Sequence, residues 1–281
     1  MASDPKMIPQ SGLLSAEANQ AAALAAYGGV LTVDLDAIIA NWRKLEKTAV
    51  PAECAAVIKA DAYGCGAGQV AHALNKAGCK TFFVADVNEG RRVRAIARDS
   101  IIYVLNGVLP NTGRALADAR LRPVINSTTE LAEWDTFVAT NDWRHGAALH
   151  IDTGMSRLGL SIDEGVAIAS RIKAENHGFV LLMSHFACAE QPDHPMNDKQ
   201  IRLFRELRIL YRGVPSSLAN SSGIFLGGTV HCDLVRPGGA LYGANPTPGK
   251  KNPMRPASGQ RRPAIMTSAP GLPLAAPAAR A

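Results

Sequence analysis

Between about residues 30 and 242 the chain alternates short apolar runs with longer stretches in which apolar residues recur every three or four positions. Eight runs have the length and residue types of buried strands: 55–59, 81–85, 101–105, 122–126, 148–152, 179–184, 216–220 and 231–236. Most are followed by a helical stretch, as at 88–98, 128–139, 163–175 and 198–211. A further amphipathic helix is predicted over 34–47, where Ile38, Trp42 and Leu45 share one face among charged neighbours. Strand and helix in strict turn imply parallel strands joined by right-handed crossovers.

Both an open doubly wound sheet and a closed barrel satisfy that alternation. About eight strands favour closure into an α/β fold of the (β/α)8 TIM type, and the first strand-to-helix turn lacks the GxGxxG fingerprint that the open sheet would lead one to seek. Polar residues gather where the runs end: Lys59, Asp86, Asn106, Asn126, Asp152, Ser184, His185, Asn220, Ser221 and Arg236. A barrel places its chemistry on that face.

Composition narrows the setting. With 281 residues, 47% of them hydrophobic, the chain can bury one large core or two modest ones. No run approaches membrane-spanning length, and the apolar stretch 21–26 is short and late for a secretory signal, so a soluble, cytoplasmic protein without membrane partners is expected. Five cysteines show neither a CxxC pair nor zinc-ligand spacing, which fits reduced thiols and no metal. The net charge of +6 sits in residues 246–281, which hold six basic residues and no acidic one; the remaining 24 basic residues balance 24 acidic. A neutral body gives no footprint for nucleic acid. The same tail holds eight of the 17 prolines and no hydrophobic period, so it is expected to be disordered. The expected organisation is an N-terminal extension (1–28), a barrel (29–245) and a proline- and alanine-rich tail (246–281).

The chemistry starts at Lys59, which ends an apolar run and opens a loop containing Tyr63, Gly64, Cys65 and Gly66. A lysine at the end of a buried strand is costly unless it is paired, lowered in pKa or covalently engaged. An imine with the aldehyde of pyridoxal 5'-phosphate combines all three, and Tyr63, four residues on, can face the same mouth and bond a phosphate. The plainer alternative is a lysine that snorkels to solvent. Four more segments lie at strand ends: LHIDTGMSRLG (149–159), MSHFA (183–187), ANSSG (219–223) and LVRPGGALYG (234–243). ANSSG reads as a polar cluster before a short helix whose N–H groups suit phosphate.

Taken together, these segments resemble alanine racemase, a family of barrel enzymes of pyridoxal-phosphate fold type III, in order and spacing from about residue 31 to 248. The resemblance implies that Lys59 carries the cofactor as an imine and, once released by substrate, acts as base on one face of Cα. It further implies a phosphate cradle from Tyr63, Asn220, Ser221 and the backbone of Gly238 and Gly239. His185 corresponds to the residue near the pyridine ring, Arg236 to the arginine at its nitrogen, and Arg157 to the arginine that bonds the phenolic oxygen and places the substrate. Arg236 can only donate, so the ring nitrogen it meets stays unprotonated, which favours racemisation over transamination.

The chain also departs from the family. The family draws its second base, a tyrosine, from a C-terminal β domain across a homodimer interface, and the likeness stops near 245–249. The expectation is therefore a barrel without that domain or its dimer surface, followed by a truncated or out-of-frame tail. His150 stands where some relatives carry a modified lysine that braces the substrate-positioning arginine, and Cys65 where many carry histidine. The expected function is interconversion of L- and D-alanine for cell-wall synthesis. The alternative is a non-catalytic single-domain pyridoxal-phosphate protein; a decarboxylase or aldolase on this barrel would need further domains.

Overall fold

The computed structural model describes residues 30–141, 143, 145–175 and 178–261. Its main body spans Val33–Ser258. A smaller unit takes in residues up to Thr32 and from Gly259, and its described part belongs to a two-stranded sheet of β1 (Val30–Val33) and β11 (Ser258–Arg261).

The body is a parallel α/β barrel. Strands β3 (Ala56–Val57), β4 (Thr81–Val84), β5 (Ile101–Val104), β6 (Arg122–Ile125), β7 (Ala147–His150), β8 (Phe179–Met183) and β9 (Ser216–Ser217) pair in sequence order, all parallel. β2 (Glu53–Cys54) precedes β3 with Ala55 between them and pairs with β10 (Leu234–Val235). Bonds from Asp233 N to Ser216 O (2.9 Å) and from Arg236 N to Ala219 O (2.9 Å) join β10 to β9 and close the ring. The eight predicted runs are the eight staves, and closure leaves none of them an open edge.

The staves β4 and β5 are apolar on both faces because both faces are covered. Phe82 and Val84 point to the helical layer, whereas Phe83 points inward with Tyr103, Val124, Ala148, Leu181 and Met183. The barrel therefore has a packed floor, in which the Phe83 and Tyr103 rings stack 4.8 Å apart. The period of two continues past the floor: His150 follows Ala148 on the inner face, at the C-terminal end of β7.

Helices α1 (Leu35–Ala49), α2 (Ala67–Ala77), α3 (Val87–Ile96), α4 (Gly113–Asp118), α5 (Thr128–Thr140), α6 (Ile162–Glu175) and α7 (Pro195–Leu210) surround the staves. Three of their starts are capped by nearby acidic or hydroxyl side chains: Asp34 accepts from Ala37 N, Asp86 from Asn88 N and Glu89 N, and Ser127 from Glu130 N. The short helix expected after ANSSG is a single 3₁₀ turn, Gly223–Leu226, and the Asn220 side chain accepts from Gly223 N (2.9 Å) at its start.

Residues 246–257, assigned to the tail on composition, belong to this body. The Asn41 amide donates to Arg255 O (2.8 Å) and accepts from Arg255 N (2.7 Å), the Lys44 ammonium donates to Pro253 O (2.9 Å), and Met254 and Ala257 are buried. Asn41 completes the backbone of an irregular segment as a neighbouring strand would. The 1–28 extension and residues 262–281 lie outside the described residues. No helix among the described residues is long and apolar enough to cross a membrane.

Candidate active site

The strand ends enclose a cavity of about 530 Å³. Lys59, Tyr63, Arg157, His185, Asn220, Ser221, Arg236, Gly238 and Gly239 all line it, so the structure brings every residue of the predicted site together. Three of them are cations and none of the described lining residues is a carboxylate. Such a wall lacks internal neutralisation and suits a ligand that brings its own negative charge.

Lys59 follows β3 and opens an unusual turn. Ala60, Asp61, Ala62 and Tyr63 all have left-handed backbone angles, with φ between 52° and 56°, before Gly64 at φ 82°. L-residues in that conformation cost on the order of 1–2 kcal/mol each, so the turn exists only because surrounding contacts over-determine it. The Asp61 carboxylate accepts from Ala67 N (2.8 Å), the Tyr63 ring lies 4.9 Å from that of Tyr242, and the Tyr242 hydroxyl bonds Val57 O (3.2 Å).

Tyr63 closes on the opposite wall at Gly238. A Cβ there would overlap the Tyr63 hydroxyl, so only glycine admits this approach. The Ser221 Oγ accepts from Gly238 N (3.0 Å) and Ala240 N (3.2 Å), which leaves its own proton free to donate. Hydroxyls of Tyr63 and Ser221 beside glycine backbone form a small donor-rich pocket, the type of cradle that a phosphate fills.

Arg236 is buried, and its partners are neutral: the Ser217 hydroxyl, the Ser184 carbonyl and, at 3.4 Å, His185 Nδ1. Burial lowers its pKa to about 10, which still leaves it charged at neutral pH. Because a guanidinium can only donate, the His185 Nδ1 is an acceptor and the proton of that ring sits on Nε2. Desolvation, and then the Arg236 charge, push His185 down to about 3, so it is neutral.

His150 is neutral for the same reasons, with burial first and Arg236 second pushing it down to about 4. Its Nδ1 lies 2.8 Å from Asn126 Oδ1, and its buried Nε2 has no hydrogen-bond partner among the described residues. Arg157, whose charge is felt at His150, His185 and Tyr63, projects from a loop built on Asp152. That carboxylate accepts from Gly154 N (2.8 Å), Met155 N (2.7 Å) and Ser156 N (2.9 Å). Asp152 and Asp86, both at strand ends in the sequence, therefore serve the backbone and do not line the cavity.

Sequence reasoning missed Gln200 on α7. Fully buried, it donates to His185 O (2.8 Å) and Thr153 Oγ1 (3.2 Å) and accepts from Ala187 N (2.9 Å), tying the Arg157 loop to the His185 strand end. Within the helix pattern it reads as an ordinary polar position, and no local signal marks it.

Comparison with known proteins agrees with this geometry. The family described as "Alanine racemase, N-terminal domain" matches residues 33–246. An alanine racemase of Methylobacterium nodulans is 50% identical over 234 residues, covering 83% of this chain and 63% of the relative. One from Rhizobium meliloti is 46% identical, covering 80% and 59%. The chain thus spans a little under two thirds of the length of these curated relatives. Among solved structures, the alanine racemase of Bartonella henselae with covalently bound pyridoxal phosphate superposes with a TM-score of 0.79 at 35% identity, covering 83% of this chain and 68% of that one. The biosynthetic alanine racemase of Pseudomonas aeruginosa gives 0.76 at 33% identity, covering 82% and 65%.

Proposed function

The chain belongs to the alanine racemase family, and from that premise we propose that it binds pyridoxal 5'-phosphate on Lys59 and acts on alanine as an amino-acid racemase in the cytoplasm. The observation that carries this reading is the cavity: three cations without a carboxylate, converging with a hydroxyl-and-glycine cradle at the C-terminal ends of the staves.

The residues fit the cofactor part by part. Tyr63, Ser221 and the backbone at Gly239 would hold the phosphate, with Gly238 N orienting the Ser221 hydroxyl toward it and Asn220 bracing that loop through Gly223 N. Arg236 would donate to the ring nitrogen, His185 would lie against the ring, and Arg157 would hold the phenolic oxygen and the substrate carboxylate. Bound there, the cofactor supplies the conjugated electron-withdrawing ring that acidifies the Cα–H bond of an amino acid. Lys59, with a stem fixed by its turn, takes and returns the proton at Cα on its own side. Arg236, donor-only and buried, would keep the ring nitrogen unprotonated, which would limit charge withdrawal and favour return of the proton to Cα over transamination. The apolar floor of Val57, Phe83 and Met183 excludes water from beneath the site.

Incubating the cofactor-loaded protein with L-alanine in D2O tests the reading. Deuterium at Cα together with D-alanine is the expected outcome, and Lys59→Ala should abolish both. Exchange without inversion would confine this cavity to the chemistry of one face of Cα. Cofactor binding without exchange would establish a carrier and refute catalysis.

A further inference from the structure

We propose that Glu89 is the positioning residue for the Lys59 amine: it clamps the left-handed turn after Lys59 to the end of β4 at the point where the two strands part. The ladder between β3 and β4 runs from Ala56–Phe82 to Val57–Phe83, and a last bond joins Ile58 N to Phe83 O (2.9 Å). Beyond it the strands splay and the mouth opens, with Lys59 on one side and Ala85 on the other, both lining the cavity. Splaying takes the ladder partner from Ala85 N, and the left-handed turn opens with an Asp61 N–H that no bond of the turn uses; a buried donor left unpaired is costly.

Glu89 answers both. Its Oε1 accepts from Asp61 N (3.1 Å) and its Oε2 from Ala85 N (2.8 Å), and the residue is only 6% exposed. The carboxylate comes from the first turn of α3, which Asp86 caps from the same strand end. One side chain thus gives both donors an acceptor and pins a backbone segment that left-handed angles would otherwise let relax. Glu89 lies behind the wall of the cavity and does not line it, so it acts on the amine through the turn. A simple acidic position in a helix first turn needs neither bond; the two acceptors on two separated segments are what identify the clamp.

The functional arm rests on the proposed cofactor chemistry, so the experiment has a second arm that does not. In cofactor-free protein, amide hydrogen exchange is followed at Asp61 and Ala85 for wild type, Glu89→Ala and Glu89→Gln. Loss of the acceptor should speed exchange at both amides about tenfold or more in Glu89→Ala, while core amides such as Phe82 are unchanged; Glu89→Gln, which keeps one carbonyl acceptor, should protect one of the two. The same proteins are then loaded with pyridoxal 5'-phosphate, trapped with borohydride and mapped for label at Lys59. Labelling should fall about tenfold in Glu89→Ala and recover largely in Glu89→Gln, which also keeps the test alive if the alanine variant folds poorly. Unchanged exchange at Asp61 in Glu89→Ala, or wild-type labelling of Lys59, would overturn the proposal. A wild-type protein that never takes label at Lys59 would sink the functional reading, and the exchange arm would still decide the clamp.

Discussion

Asn126 sets the tautomer of His150 across 2.8 Å. Its amide nitrogen donates to Leu105 O (3.0 Å) and Val124 O (2.8 Å), so Oδ1 must face the imidazole, and an amide oxygen can only accept. The proton of His150 therefore sits on Nδ1, and Nε2 stands in the barrel mouth as a bare acceptor. Side-chain 15N NMR at neutral pH should show His150 as a fixed Nδ1–H tautomer. Asn126→Asp should hold it protonated to higher pH by pairing its charge. An Nε2–H tautomer in the wild type would refute the arrangement.

The same burial makes acid destabilising. His150 stays neutral in the folded protein down to about pH 4, whereas in the unfolded chain it takes up a proton near 6.5. The unfolded state binds the extra proton, so stability is lost as pH falls from about 6.5 toward 4 and levels off below. At pH 5 the penalty from this one ring is about 2 kcal/mol. Denaturant melts of cofactor-free wild type and His150→Gln at pH 7 and pH 5 read it as the difference between their pH dependences.

Gly238→Ala should drive a methyl into the Tyr63 hydroxyl and destabilise the protein by about 1–3 kcal/mol. Adding Tyr63→Phe removes the atom that the methyl meets, so stability should partly return while affinity for pyridoxal 5'-phosphate does not. Thermal melts beside cofactor titrations separate the two effects. Additive losses of stability would show that the pair does not touch.

Far from the cavity, Arg94 joins two helix ends. Its guanidinium donates to Ala97 O, Arg98 O and Ser100 O beyond α3, and to Ala119 O and Arg120 O beyond α4, at 2.7 to 3.2 Å. Arg94→Met keeps the stem and removes the donor from Ser100 O, Ala119 O and Arg120 O, while Arg98 O keeps Arg120 and Ala97 O keeps Ser100 N, for an expected loss of about 2–3 kcal/mol in chemical denaturation. Arg94→Lys should recover only a part, since an ammonium has three donors and no planar fork.

What could be read in advance follows from what each residue type does locally. The staves were legible because strands covered on both faces are apolar throughout, as in Phe82 and Phe83. The site residues were legible because lysine, arginine and histidine at strand ends are conspicuous. Glu89 was not, since in NEGRRVRAIAR it looks like any solvated charge of a helix. Nor was the ordering of 246–257, which depends on Asn41, more than 200 positions away, and on Met254 and Ala257, two apolar residues that no local period marks as buried. Helix α2 was not among the predicted helices although Ala67, Val70, Ala71 and Leu74 recur at helical spacing, because three of the five residues on its buried face are alanines.

The left-handed turn also sets terms for anyone who would move this chemistry elsewhere. Grafting a lysine onto the rim of another barrel transfers an amine but not its aim, which here comes from four residues wound in the mirror sense. A successful transplant would have to carry the turn, the glutamate behind it and the next helix start as one cassette.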